Sequence, residues 1–227
     1  LVPDRYLYLP MAGLGIAVAA ALAPLTPRMV ALFAGGLGLV LALLSATTVP
    51  RWQDDTALWT ATLARMPTPH VAASFAKVLE LEGDLDQAAE WYGRALVAPI
   101  PARHACWNIA RVHLLIGDPL SAARMGEQAL TVGCPLDPEL LAPTALAHAL
   151  IGEWDLAEQR ASMVGEDPTG QAIVVRVTAA ARRGDLGPFY AAAGDAEADQ
   201  TALARQVVVL LDSAGEPSAV PALRALR

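Results

Sequence analysis

Lysine is almost missing from these 227 residues. Lys77 is the only one, and the rest of the positive charge is arginine, a bias that a GC-rich genome explains as well as function does. Aromatic residues make up only 5% of the chain. Cysteine is limited to Cys106 and Cys134, with no CxxC pair, and no HExxH occurs. The common zinc and thiol-redox motifs are therefore excluded. No Ser/His/Asp set, Gly-rich phosphate loop or Cys/His pairing is present, so no catalytic residue, cofactor or metal is assigned. Net charge is −7. The first 50 residues hold Arg5, Arg28 and Asp4 and contribute +1, which leaves −8 for the remainder. An acidic surface argues against nucleic acid as a partner.

What is abundant is Ala and Leu, in a chain of mean hydropathy +0.40. That mix suggests helices more than sheet, and an all-α fold is expected. The apolar excess is concentrated at the start. Residues 6–25 and 29–48 carry no charge at all, and about 20 apolar residues are what a helix needs to cross a bilayer. "TPR", Thr26 to Arg28, joins them. The pattern predicts a membrane helical hairpin over residues 1–50, with a buried soluble hairpin as the alternative. A signal peptide fits poorly, because Asp4 offsets Arg5 and a second apolar run follows at once. After it, "RWQDDTALWTATLARMPTPH" reads as a linker helix within 51–68, started near Asp54-Asp55 and broken by "MPTPH". Trp52 sits where an interfacial aromatic belongs.

From residue 69 onward the strongest signal is a repeat. Gly-acid pairs occur at Gly83-Asp84, Gly117-Asp118, Gly152-Glu153, Gly184-Asp185 and Gly215-Glu216, in steps of 34, 35, 32 and 31. Each is flanked by Ala/Leu-rich stretches of helical period. Gly suits the left-handed end of a first helix, and the acid suits the start of a second. In "GDLDQAAEWYGRAL", Ala88, Tyr92 and Ala95 share one helical face.

These residues resemble the tetratricopeptide repeat. Ala76, Ala88, Tyr92 and Ala95 occupy the family's small and aromatic positions in the first repeat. Ala110, Ala122 and Ala129 do so in the second, where Gly126 replaces the aromatic. Ala145, Ala157, Ala161 and Val164 make a looser third. Phe189 stands where a fourth would have Ala. The resemblance implies an α-solenoid over 69–227, clear for 69–165, degenerate with a C-terminal cap for 166–227. It also implies a concave groove lined by the first helices, taking a protein or peptide partner. Lys77, Trp107, Asn108 and Arg111 should face that groove, although Trp107 fits equally well packed between repeats. His113 and His148 each lie four residues before a turn Gly and are expected at a structural or groove-lining position rather than as metal ligands. The cationic clamp by which some family members hold a carboxylate is disfavoured, because Ala73, Pro138 and Ala142 stand where cations are needed.

The order of motifs carries a second resemblance. Arg5, Tyr6, Tyr8, Leu9 and Pro10, then an apolar hairpin, then Trp52, Asp54, Leu58 and Trp59, then repeats, look like the junction in multi-spanning membrane glycosyltransferases with C-terminal tetratricopeptide repeats, a group that includes protein O-mannosyltransferases. This implies an integral membrane location, the inner membrane if the source is a bacterium, with the repeats outside the cytoplasm. The family's catalytic acids lie in an early loop not seen here. The expectation is therefore a non-catalytic C-terminal portion that begins mid-protein at Leu1. A non-enzymatic scaffold for an envelope or membrane protein assembly is the alternative.

Cys106 opens the first helix of the second repeat and Cys134 follows the end of its second helix. Antiparallel helices would bring them together, so a disulfide and two unlinked thiols both remain open.

Overall fold

A computed structural model describes residues 15–18, 20, 23–24, 26–49, 54–96, 100–165, 169–193 and 197–215. Among them the chain is helical throughout, without strands. It divides into two compact units, Leu1–Asp54 and Asp55–Arg227.

The first unit contains α1, Pro27–Thr48. Thr26 is extended and Pro27 opens the helix, where its fixed φ is already helical and its missing N–H costs nothing. The sequence places the turn at Thr26–Arg28. The structure has Arg28 inside the helix, and residues 23–24 are in a turn. The stretch Pro27–Thr47 is long and apolar enough to cross a membrane, and its side chains are exposed. The expected first span at 6–25 falls mostly outside the described residues; residues 15–18 are helical.

The second unit opens with α2, Asp55–Arg65. The acidic residue at its start suits the positive end of the helix dipole. Although the sequence assigns this helix to a linker, Trp59 and Leu63 pack against the core that begins at Ala72. Met66 to Thr68 leave the helix, and the Thr68 hydroxyl accepts from the Val71 N–H at 3.3 Å to cap the next one.

Helix pairs succeed it: α3 (Pro69–Glu82) with α4 (Leu85–Leu96), α5 (Arg103–Ile116) with α6 (Pro119–Thr131), α7 (Pro138–Leu150) with α8 (Trp154–Ser162), and α9 (Gln171–Arg182) with α10 (Gly187–Ala193). Helix α11, Glu197–Ser213, closes the described chain. Each pair turns in the same way. Gly83 has φ 86°, its N–H reaches the Glu80 carbonyl, and the Asp84 N–H reaches Leu79. The bonds recur at Gly117-Asp118, Gly152-Glu153 and Gly184-Asp185. This double bond around a left-handed residue satisfies carbonyls that a helix end leaves orphaned, and only Gly enters it without strain. In the first two pairs the acid also caps the second helix: Asp118 accepts from the Ser121 N–H at 2.9 Å and Asp84 from the Gln87 N–H at 3.2 Å, whereas Glu153 makes no side-chain cap.

Small residues let these helices approach. Ala76, Ala88, Ala95, Ala110, Ala122, Ala129, Ala145, Ala157 and Ala161 are all fully buried, as is Tyr92. First helices also pack on first helices: α3 on α5, α5 on α7, α7 on α9. Gly126 shows the tightest fit. A Cβ there would lie 2.3 Å from Thr144 Oγ1 on α7, so the aromatic expected at this position could not fit. The fourth pair is shorter because α10 has seven residues, and Phe189 fills the space with a buried ring.

Candidate functional site: a polar strip on the first helices

Residues 70, 74 and 77 of α3 and residues 104, 108 and 111 of α5 have the i, i+4, i+7 spacing of one helical face. The two rows meet across the α3–α5 contact. Glu80 is the anchor. Arg111 Nη2 donates to it at 2.6 Å, Lys77 Nζ at 2.6 Å and the Tyr92 hydroxyl at 3.1 Å. Burial alone would raise the Glu80 pKa, but the Arg111 and Lys77 hydrogen bonds outweigh it and hold the carboxyl below its ordinary value of 4.5. Burial, with Glu80 beside it, pushes the Tyr92 phenol up. Asn108 Oδ1 accepts from both Nε and Nη2 of Arg111, at 3.1 and 2.6 Å. The guanidinium is thus fixed by a neighbour on its own helix and a carboxylate on α3. Lys77 keeps 47% of its side chain in solvent.

One turn toward the start of α5 lies a second cluster. Trp107 Nε1 donates to Asp137 at 2.8 Å, and Arg103 donates to the same oxygen at 3.1 Å while stacking 4.7 Å over the indole. Those bonds, the indole's first, hold Asp137 below its ordinary value. His104 meets Trp107 edge-on at 5.5 Å, and the His70 ring stands 6.2 Å from His104. Trp107 is half-buried, its indole held by Asp137 in the loop before the next pair.

That loop is tied down covalently. Cys106 and Cys134 form a disulfide with Cα atoms 5.8 Å apart. It joins the start of α5 to the loop carrying Asp137, two points that the antiparallel packing of α5 and α6 brings together.

His148 does not line the strip. His148 is 3% exposed. Its Nδ1 sits 2.7 Å from Glu153 and its Nε2 3.1 Å from Glu127, which also receives both Arg160 nitrogens at 2.7 Å. This polar knot ties α6, α7 and α8 together, so His148 is structural and closed to a partner. The Arg160 hydrogen bonds hold Glu127 below 4.5 against the pull of burial. His113 is half-buried, and burial pushes it below 6.5 although Asp118 pulls the other way. Among the described residues no group of His, Cys, Asp and Glu could hold a metal ion.

Lys77, Trp107, Asn108 and Arg111 thus come together, and the residues that organise them, Glu80 and Asp137, are ones that periodicity in the sequence does not single out. A signal for each exists: Glu80 stands three after Lys77 on α3, and Asp137 holds the N-cap position of α7 without capping it, because its carboxylate is engaged on Trp107 and Arg103.

No family model and no curated protein matches the chain. What the fold defines is a class: an all-helical chain with an N-terminal helix apolar enough to cross a membrane, and a unit of stacked helix pairs carrying a cationic, aromatic strip.

Proposed function

We propose that the chain is a membrane-anchored tetratricopeptide-repeat module, an α-solenoid that holds a protein partner on its first helices. In this reading it is the non-catalytic C-terminal portion of a glycosyltransferase-like membrane protein. The carrying observation is the strip on α3 and α5. Three cations, Lys77, Arg103 and Arg111, face two carboxylates there, beside an edge of Trp107, in a region whose net charge is −8. Arg and Trp anchor interfaces, and fixed side chains lose little entropy on binding. The strip suits an acidic segment of the partner.

The test is binding of short acidic peptides to the full chain in lipid nanodiscs, at two salt concentrations. Binding should weaken with salt. Arg103→Glu and Lys77→Glu, both at exposed positions, should each weaken it about tenfold. Binding indifferent to salt and to both substitutions would remove the strip as the docking face.

The disulfide supports placing the repeats in an oxidising compartment, hence outside a bacterial cytoplasm. Labelling on intact cells tests this. Cys106 and Cys134 should take an impermeant maleimide after an impermeant reductant, without lysis.

A further inference from the structure

On the first helices α3, α5, α7 and α9, the large apolar side chains that stand exposed among the described residues are Leu81, at 74%, and Leu115, at 55%. They hold one register position, 34 residues apart like Gly83 and Gly117. The next step, of 35 residues, falls on Leu150 of α7, which is half-buried. A single exposed leucine is ordinary on a protein surface. Leucines at the same position of helices packed side by side form a row. Leu81 lies four residues after Lys77, Leu115 four after Arg111 and Leu150 four after Leu146. The row therefore runs beside the polar strip on the same helical face, about 6 Å further along each helix axis.

Two rows side by side constrain what covers them. Packed helices have axes about 8–10 Å apart, so a segment crossing them meets a leucine at about that interval. In an extended strand, residues on one face recur about every 7 Å, out of step with that spacing. A polyproline helix repeats about every 9 Å, but its successive residues turn by about 120°, so the neighbours of an apolar residue point away from a row lying beside it. An α-helix returns to the same face after about seven residues, or about 10.5 Å, and its residues i+3 and i+4 lie beside residue i. Charge sets the flank. Lys77 and Arg111 share one carboxylate, Glu80, so two cations stand against one anion. We propose that an amphipathic α-helix of the protein partner lies across α3, α5 and α7, with apolar residues one heptad apart on Leu81, Leu115 and Leu150, and with acidic residues beside them on Lys77 and Arg111. On α7 the flanking position is Leu146 and not a cation, so the acids belong to the end of the partner helix that covers α3 and α5. This rests on reading the first helices as the docking face, and it gives the partner segment its chemistry: an acidic helix with an apolar seam.

The experiment uses the full chain in nanodiscs and acidic peptides of one composition, with leucine at every seventh position, at every third position or scattered. The heptad peptide should bind about tenfold tighter than the scattered one. A proline at its centre, which breaks a helix, should remove that advantage. Leu81→Gln/Leu115→Gln places good helix formers at exposed positions and should leave the melting temperature unchanged. It should erase the heptad advantage and keep the salt-sensitive binding. Equal binding of all the peptides, or a heptad advantage that survives the double substitution, overturns the leucine row and leaves the strip standing. Tightest binding by the every-third peptide overturns the helical occupant. No binding by any peptide overturns both the row and the strip. A dimer of the native chain that the double substitution breaks would mean that a second copy covers the row, which also overturns the proposal.

Discussion

Helices α1 and α7 are both apolar on nearly every side, yet their surroundings differ completely. In α1, Leu32 is 78% exposed and its neighbours are similar; in α7, Leu140 and Leu141 are fully buried. Composition alone does not separate a membrane span from a core helix. The few polar residues do. Helix α7 keeps Thr144 and His148 inside the protein because each has a partner: the Leu140 carbonyl for the hydroxyl, Glu127 and Glu153 for the ring. In α1 the hydroxyl of Thr47 turns back to the Leu44 carbonyl at 2.8 Å, and Arg28 lies in the first turn. The Thr47 hydroxyl is thus satisfied within its own helix, as a membrane crossing would require of it.

A charge placed in each helix breaks this comparison most sharply. Leu141→Asp should unfold the second unit, costing more than about 4 kcal/mol, because the carboxylate has no partner there. Loss of the cooperative melt by circular dichroism checks it. Leu39→Asp in α1 should leave that melt unchanged and instead disfavour insertion by about 3 kcal/mol, seen as release from membranes. Next in size is the disulfide. Cys106→Ser should cost the second unit about 3–4 kcal/mol, from the entropy of a loop of 28 residues. The α6–α7 contact comes third. Gly126→Ala should cost about 1–3 kcal/mol by overpacking, and adding Thr144→Ala should recover part of it, because the atoms met first belong to the Thr144 side chain.

The pH dependence is smaller and has a defined sign. Glu80 and Glu127 are held below 4.5 when folded. Their contribution is therefore present above the ordinary glutamate value and is lost as pH falls through the depressed one. The melting temperature should drop below pH ~4.5, and Glu127→Gln should flatten that drop. The smallest effect belongs to the exposed Arg183–Glu158 pair. Arg183→Ala should change stability by no more than about 0.5 kcal/mol.

Much of the helical layout was legible because local chemistry set it. The Gly-acid turns, the Ala faces at 76, 88, 122, 145 and 157 and the start of α2 at Asp55 depend on backbone sterics and on which residues cap. Less legible were the partners. Glu80 looks like any exposed helix glutamate until Arg111, 31 residues later, arrives beside it. His148 and His113 occupy one register position, but Glu127 and Arg160 bury only the first. Gly126 read as a lost aromatic, when what removes the side chain is the approach of Thr144. Each of these depends on contacts between helices, which a period along one helix does not encode.

Alkaline carbonate extraction of membranes containing the full chain, beside Leu39→Asp and Leu115→Gln, tests the division between the two apolar regions most directly. The account predicts that the native chain and Leu115→Gln stay with the membrane and Leu39→Asp is released. Release of the native chain would contradict it, because α1 would then be held by protein and not by lipid.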